Sequence, residues 1–87
     1  MNDNKVLFIL TSNGVHDYFD FKNYDITIGT TMIIIKPKYT KSMPLHKWEF
    51  YYNDIIAWTI ETNENGSPLS AIPDWFAETI NTVSRSK

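Results

Sequence analysis

The chain of 87 residues contains no cysteine and only three glycines. The lack of cysteine excludes disulfide bonds, thiolate nucleophiles and cysteine-based metal sites. The glycines lie far apart, at positions 14, 29 and 66, whereas phosphate-binding loops and dinucleotide-binding motifs need several glycines close together. We therefore expect the protein to use no cofactor.

The chain also lacks the features of exported and membrane-spanning proteins. Its longest early apolar run, at 6–10, has five residues, which is too short for the core of a secretion signal, and Asp3 stands where such signals are basic. No stretch approaches the roughly 20 apolar residues that cross a bilayer. With the absence of cysteine, these features predict a cytoplasmic protein that does not bind membranes.

Sequence motifs for catalysis are also missing. His16 and His46 are thirty residues apart, and neither belongs to a metal-binding motif. No serine lies in a Gly-x-Ser-x-Gly elbow. Asp17 and Asp20, three residues apart on a predicted strand, should point to opposite faces and so should not form a catalytic pair. We predict that the protein is not an enzyme and holds no metal ion.

The length of the chain predicts one domain, spanning 1–87, with one core. A domain of this size buries only roughly 60–65% of the surface that its unfolded chain exposes. Aromatic residues make up 15% of the chain and apolar residues 43%. Large aromatic side chains bury much area each, so they are expected to supply much of the core.

Hydrophobic periodicity predicts about six short strands. The continuous apolar runs at 6–10 and 32–35 are typical of strands buried on both faces. Asn13 and Gly14, directly after the first strand, are a strong signal for a hairpin. Alternating or mixed patterns predict the remaining strands at 15–21, 24–28, 47–52 and 56–60, with a loop at 36–46 and a polar loop at 62–70.

A helix is expected at the C-terminal end, over about 72–84. Pro73 suits the first turn of a helix, and Ser70 lies in the region of the N-cap. Apolar positions with spacings of four, four and three form one stripe, namely Ile72, Phe76, Ile80 and Val83. Strands followed by one helix predict an α+β, mostly β fold, in which an antiparallel meander forms a curved sheet or a small half-barrel that the helix covers.

The net charge of −2 conceals a segregated pattern. Segment 36–48 contains four lysines and no acid, whereas segment 49–78 contains six acids and no base. Lysines neutralise phosphates and aromatic rings stack on bases, so segment 36–48 offers an anion-binding or single-stranded nucleic-acid-binding function as the alternative hypothesis. The isoelectric point of about 5.5 argues against it, since nucleic-acid-binding domains commonly exceed 9. Lysines also keep exposed edge strands soluble.

The aromatic side chains lead to the main hypothesis. Trp48, Phe50 and Tyr52 are expected on one face of a strand and Tyr51 on the other, while Trp75 lies off the helix stripe. One sheet cannot bury both of its faces without further layers, and exposed tyrosine and tryptophan are enriched at binding hot spots. We therefore expect partner proteins to cover part of this surface.

The sequence thus predicts a small protein-binding module, such as an inhibitor, adaptor or regulatory protein of the kind that phages and other mobile elements carry. The acidic and basic segments could also pair between two copies, which would give a homodimer. The candidate binding residues are Lys36, Lys38, Tyr39, Lys41, His46, Lys47, Trp48, Tyr51 and Trp75.

Overall fold

A computed structural model describes residues 4–38, 47–63 and 67–85. These ranges contain six strands in two antiparallel sheets and one C-terminal α-helix, which confirms the predicted α+β, mostly β fold. The elements are β1 (Lys5–Thr11), β2 (His16–Asp20), β3 (Tyr24–Ile28), β4 (Met32–Pro37), β5 (Trp48–Tyr51), β6 (Ile55–Thr62) and α1 (Asp74–Arg85), with short 3-10 helices at Tyr52–Asp54 and Pro68–Ala71.

The two sheets each contain three strands. Sheet A has the order β2-β1-β6, and sheet B has the order β3-β4-β5. Consecutive strands pair as hairpins within each sheet, as a meander requires, but β6 returns to pair with β1 instead of extending sheet B. The simple meander is therefore wrong at two places: β2 and β3 lie in different sheets, and the 3-10 helix Tyr52–Asp54 carries the chain from sheet B back to sheet A.

The molecule has three layers, with sheet A in the middle. Alternate residues of β1 point to opposite sides: Leu7 and Ile9 face sheet B, whereas Val6, Phe8 and Leu10 face α1. All five are at most 2% exposed. The continuous apolar run of this strand is thus explained, since both of its faces are covered.

The core between the sheets is largely aromatic and β-branched. Phe19 on β2 packs among Tyr24, Trp48 and Phe50, with ring centroids 5.3, 5.4 and 6.1 Å away. The fully buried aliphatic residues of sheet B in this core are Ile33 and Ile35. The predicted inward face of the fifth strand is confirmed by Trp48 and Phe50.

The helix covers the other side of sheet A. Its buried residue, Phe76, is 1% exposed and its ring centroid lies 5.9 Å from that of Phe8. The predicted stripe is confirmed, because Ile72, Ile80 and Val83 pack in the same cluster. The backbone N–H groups of Phe76 and Ala77 donate to the carbonyl of Pro73, whereas the hydroxyl of Ser70 donates to the carbonyl of Ser67. Ser70, predicted in the region of the N-cap, therefore does not cap α1, which begins at Asp74.

Two other predictions need correction. The pairing register of β6 shifts between Ala57, which lies opposite Leu10, and Ile55, which lies opposite Thr11. Ile56, the first residue of the strand predicted at 56–60, is the extra residue and is 46% exposed, whereas Ile55, which lay outside the predicted strand, packs in the core. The loop predicted at 36–46 begins later, because β4 continues to Pro37; residues 39–46 lie outside the described ranges.

Candidate interaction surfaces

The basic segment begins on the outer surface of sheet B. Ile35 points into the core, so its neighbour Lys36 points outward, directly across from Asp25 on β3. Lys47 precedes β5 at the same end of the sheet, and its Nζ lies 3.4 Å from Oε2 of Glu49. Lys36 and Lys47 therefore each have an acidic neighbour, which reduces the local positive charge.

The other candidate residues of segment 36–48 lie in different environments. Lys38 is exposed just after β4. Trp48 packs against Phe19 and Tyr24, half-buried between the sheets, so its indole is a core element and not an open platform on which a base could stack. This packing argues against a role for Trp48 in base stacking. The other predicted residues of the segment, Tyr39, Lys41 and His46, lie outside the described ranges.

Sheet B leaves its outer face uncovered by any other part of the chain that the structure describes. Tyr51 is 49% exposed and lies across from Met32, while Ile34, at the centre of the face, is only half-buried. Polar and charged residues surround these three, namely Asp25, Thr27, Lys36 and Glu49. We call these seven residues the outer face of sheet B. An apolar centre with a charged rim is the usual composition of a protein interface.

The sequence pattern did not reveal the exposure of Ile34. The apolar run at 32–35 predicts burial on both faces, but the structure buries Ile33 and Ile35 completely and leaves Ile34 half-buried. The run is continuous because the outward residues are apolar as well, although no other layer covers them within the described residues. The charged residue Lys36 directly follows the run, and it could have indicated that one face of the strand is exposed to solvent.

A depression of about 320 Å³ adjoins this face. It lies between the β1–β2 turn and the end of β5. Tyr51 forms part of its wall, and Glu49 and Asp54 line it with the polar residues of the turn, Thr11, Ser12 and Asn13. A partner that contacts Tyr51 would thus find hydrogen-bond acceptors beside the ring.

A second group of exposed apolar side chains lies on the helix side of sheet A. Trp75 is 50% exposed and meets Phe76 edge to face, with centroids 5.5 Å apart. Tyr18 is 44% exposed and lies beside Phe8, at 6.4 Å. Leu69, 55% exposed, belongs to the 3-10 helix that packs beside β2. Tyr18 and Leu69 were not predicted from the sequence.

The two exposed aromatic residues that the sequence predicted belong to different surfaces. Tyr51 lies on the outer face of sheet B, and Trp75 lies in the helix layer on the far side of sheet A. Sheet A separates them, because its middle strand faces both layers. One flat partner cannot cover both, so the two residues define separate candidate interfaces.

The described residues contain no group of three His, Cys, Asp or Glu side chains that could hold a metal ion. None of the polar or charged side chains in these ranges is buried. His16 and Asp17 point to opposite sides of β2, across from Leu10 and Ile9 respectively. The described helix, α1, is too short and too polar to cross a membrane.

Comparisons of the chain with protein families, with curated proteins and with solved structures found no match. Function is therefore inferred from the surfaces described above.

Proposed function

We propose that the protein is a small non-enzymatic binding module that holds a protein partner on the outer face of sheet B. The observation that carries this proposal is the apolar centre of that face, where Met32, Ile34 and Tyr51 lie side by side without a covering layer in the described chain. An inhibitor, adaptor or regulatory protein works by such a contact.

The chemistry of the face fits a protein partner. Tyrosine provides a large, rigid contact area together with a hydroxyl group, which is why it is common among hot-spot residues. The rim contains both signs of charge, with Lys36 across from Asp25 and Lys47 paired with Glu49. A mixed rim selects a partner by the pattern of its charges, whereas a polyanion would meet the two acids as well as the lysines.

The test is capture by tagged protein from its native cells, followed by titration with the captured partner once purified. Tyr51→Ala should reduce the affinity by about 30-fold, which corresponds to a hot spot of roughly 2 kcal/mol. Trp75→Ala is the matched control, because Trp75 is exposed to nearly the same extent as Tyr51, 50% against 49%, but lies on the helix side. Circular dichroism checks that both variants fold.

Two outcomes would refute this location. Unchanged affinity for both variants would mean that neither aromatic residue is at an interface. Loss of affinity with Trp75→Ala alone would place the partner on the helix side, over the group that includes Tyr18 and Leu69.

Binding of a polyanion through segment 36–48 is the second candidate. The observation in its favour is that Lys36, Lys38 and Lys47 are exposed and lie at one end of sheet B. A labelled single-stranded oligonucleotide should then bind most tightly at low salt, since the release of counterions drives such association. Absence of binding at low salt would exclude this function.

A further inference from the structure

Four strands form the edges of the two sheets: β2 and β6 in sheet A, and β3 and β5 in sheet B. An edge strand presents backbone N–H and C=O groups that its own sheet does not use, and these can pair with another strand. Charged side chains in an edge strand oppose such pairing. The four edges therefore differ in how well they are protected.

By the criterion of charged side chains, β6 is the least protected of the four, and its irregularity at Ile56 is confined to the start of the strand. Charged side chains lie within the other three edge strands, namely Asp17 and Asp20 in β2, Asp25 in β3 and Glu49 in β5. In β6 the six residues Ile55–Ile60 are all uncharged, and Glu61 follows near the end. With eight residues, β6 is also the longest edge, about 27 Å at 3.4 Å per residue.

A comparison of side-chain burial in β1 and β6 shows that β6 lacks a neighbouring strand on one side. Residues 6–10 of β1 are at most 2% exposed, because β1 has a strand on each side and a layer on each face. Residues 57–61 of β6 remain half-buried, although α1 packs over β6 and the core between the sheets includes Trp58 and Ile60. Among the described strands, β6 pairs with β1 alone. A further strand would cover its open side.

We propose that this strand is supplied by β6 of a second copy of the chain, which pairs with it antiparallel about a two-fold axis. The contact would join two copies of sheet A into one continuous sheet of six strands. This inference does not depend on the outer face of sheet B, because that face belongs to the other sheet.

The residues of β6 are compatible with pairing to themselves. When Thr59 lies across from its own copy, Trp58 lies across from Ile60 and Glu61 lies across from Ala57. When Trp58 lies across from its own copy instead, Glu61 falls across from the irregular start of the partner's β6, around the extra residue Ile56. The carboxylates therefore do not oppose each other in either register, and the aromatic and β-branched side chains form favourable cross-strand pairs. A partner strand with an acidic residue across from Glu61 would instead place two carboxylates opposite each other, which is unfavourable.

The first experiment measures mass in solution. Sedimentation at concentrations up to about 1 mM should show an average mass that rises from that of one chain toward twice that mass, since specific association as weak as millimolar would be detected. Thr59→Lys should raise the dissociation constant at least tenfold, because a lysine in an edge strand opposes pairing. The new ammonium group could pair with Glu61, whose Oε2 lies 2.6 Å from the hydroxyl of Thr59, so the monomer should stay folded.

Thr27→Lys is the matched control. It makes the same change in β3, the edge strand of sheet B, at an exposed position. The dimer should persist in this variant with an unchanged dissociation constant. A dimer that Thr27→Lys disrupts and Thr59→Lys leaves intact would use sheet B and would overturn the proposal.

The second experiment needs no variant. In an edge strand only alternate N–H groups bond to the neighbouring strand, so half of the β6 amides should exchange with solvent quickly in the monomer. At high concentration every amide from Ala57 to Glu61 should be protected, and dilution should release only the alternate set. A monomeric mass at about 1 mM, or fast exchange of the alternate set at all concentrations, would overturn the proposal.

Discussion

Phe76 holds the helix on sheet A, and its replacement tests the three-layer packing directly. The side chain is 1% exposed and its ring lies 5.9 Å from that of Phe8, between α1 and the middle strand. Phe76→Ala removes the ring and leaves a cavity, which should cost about 3–5 kcal/mol. At roughly 0.05–0.15 kcal/mol per residue, the whole domain has about 4–13 kcal/mol of stability, so the variant should lose a large share of it.

Urea denaturation followed by circular dichroism measures this loss. Trp75→Ala is the control, because it removes a larger aromatic side chain that is 50% exposed. Its contact with Phe76 is edge to face and should contribute about 1 kcal/mol. A loss for Phe76→Ala no larger than that for Trp75→Ala would refute the assigned packing. If the helix detached alone, the helical signal would change at lower urea than the strand signal.

Two further predictions concern local contacts and use the same denaturation assay. A Cβ at Gly29 would lie 2.9 Å from the carbonyl oxygen of Met32, which also accepts a hydrogen bond from the Gly29 N–H. Gly29→Ala should therefore destabilise the protein at this turn by about 1–2 kcal/mol. An unchanged midpoint of urea unfolding would contradict the close approach. Glu49→Gln removes the exposed ion pair with Lys47 and should change stability by less than about 0.5 kcal/mol, whereas a larger loss would show that the pair is better ordered than its exposure suggests.

The parts of the fold that depend on local sequence were predictable. The continuous apolar run of β1 indicated burial on both faces, and Asn13-Gly14 indicated the hairpin, where Gly14 has a φ of 90° that other residues rarely adopt. The helix stripe also followed from spacing alone, because apolar positions that recur at a period near 3.6 residues over twelve residues are characteristic of an amphipathic helix.

Features that depend on distant pairing were not predictable. The return of β6 to β1 joins residues about fifty positions apart, such as Leu7 and Ile60, and no local pattern in either strand specifies the partner. The extra residue at Ile56 follows from that pairing, and it leaves Ile56 exposed while Ile55 packs in the core. The burial of Ile34 was predicted wrongly for a related reason, since it depends on whether another layer covers sheet B.

For the candidate site residues, too, local features were predictable and long-range ones were not. Alternation along the strand and the helix period correctly predicted that Tyr51 and Trp75 are exposed. Whether these two residues share a surface could not be predicted, because that depends on the arrangement of the layers, which sequence spacing does not contain. Trp48 likewise follows a lysine in the sequence but turns into the core, because alternation in β5 places it on the same side as Phe50.

The two proposals together determine how a dimer would present its binding surface. Opposite residues of paired strands share a face, so a two-fold axis through β6 would place both helices on one side of the joined sheet and both copies of sheet B on the other. The two outer faces of sheet B would then point in the same direction. A partner with two binding sites could engage both, and the second contact would form at the high effective concentration that linkage provides. A partner with one site would gain nothing from the pairing of β6, because Tyr51 and Thr59 belong to different sheets.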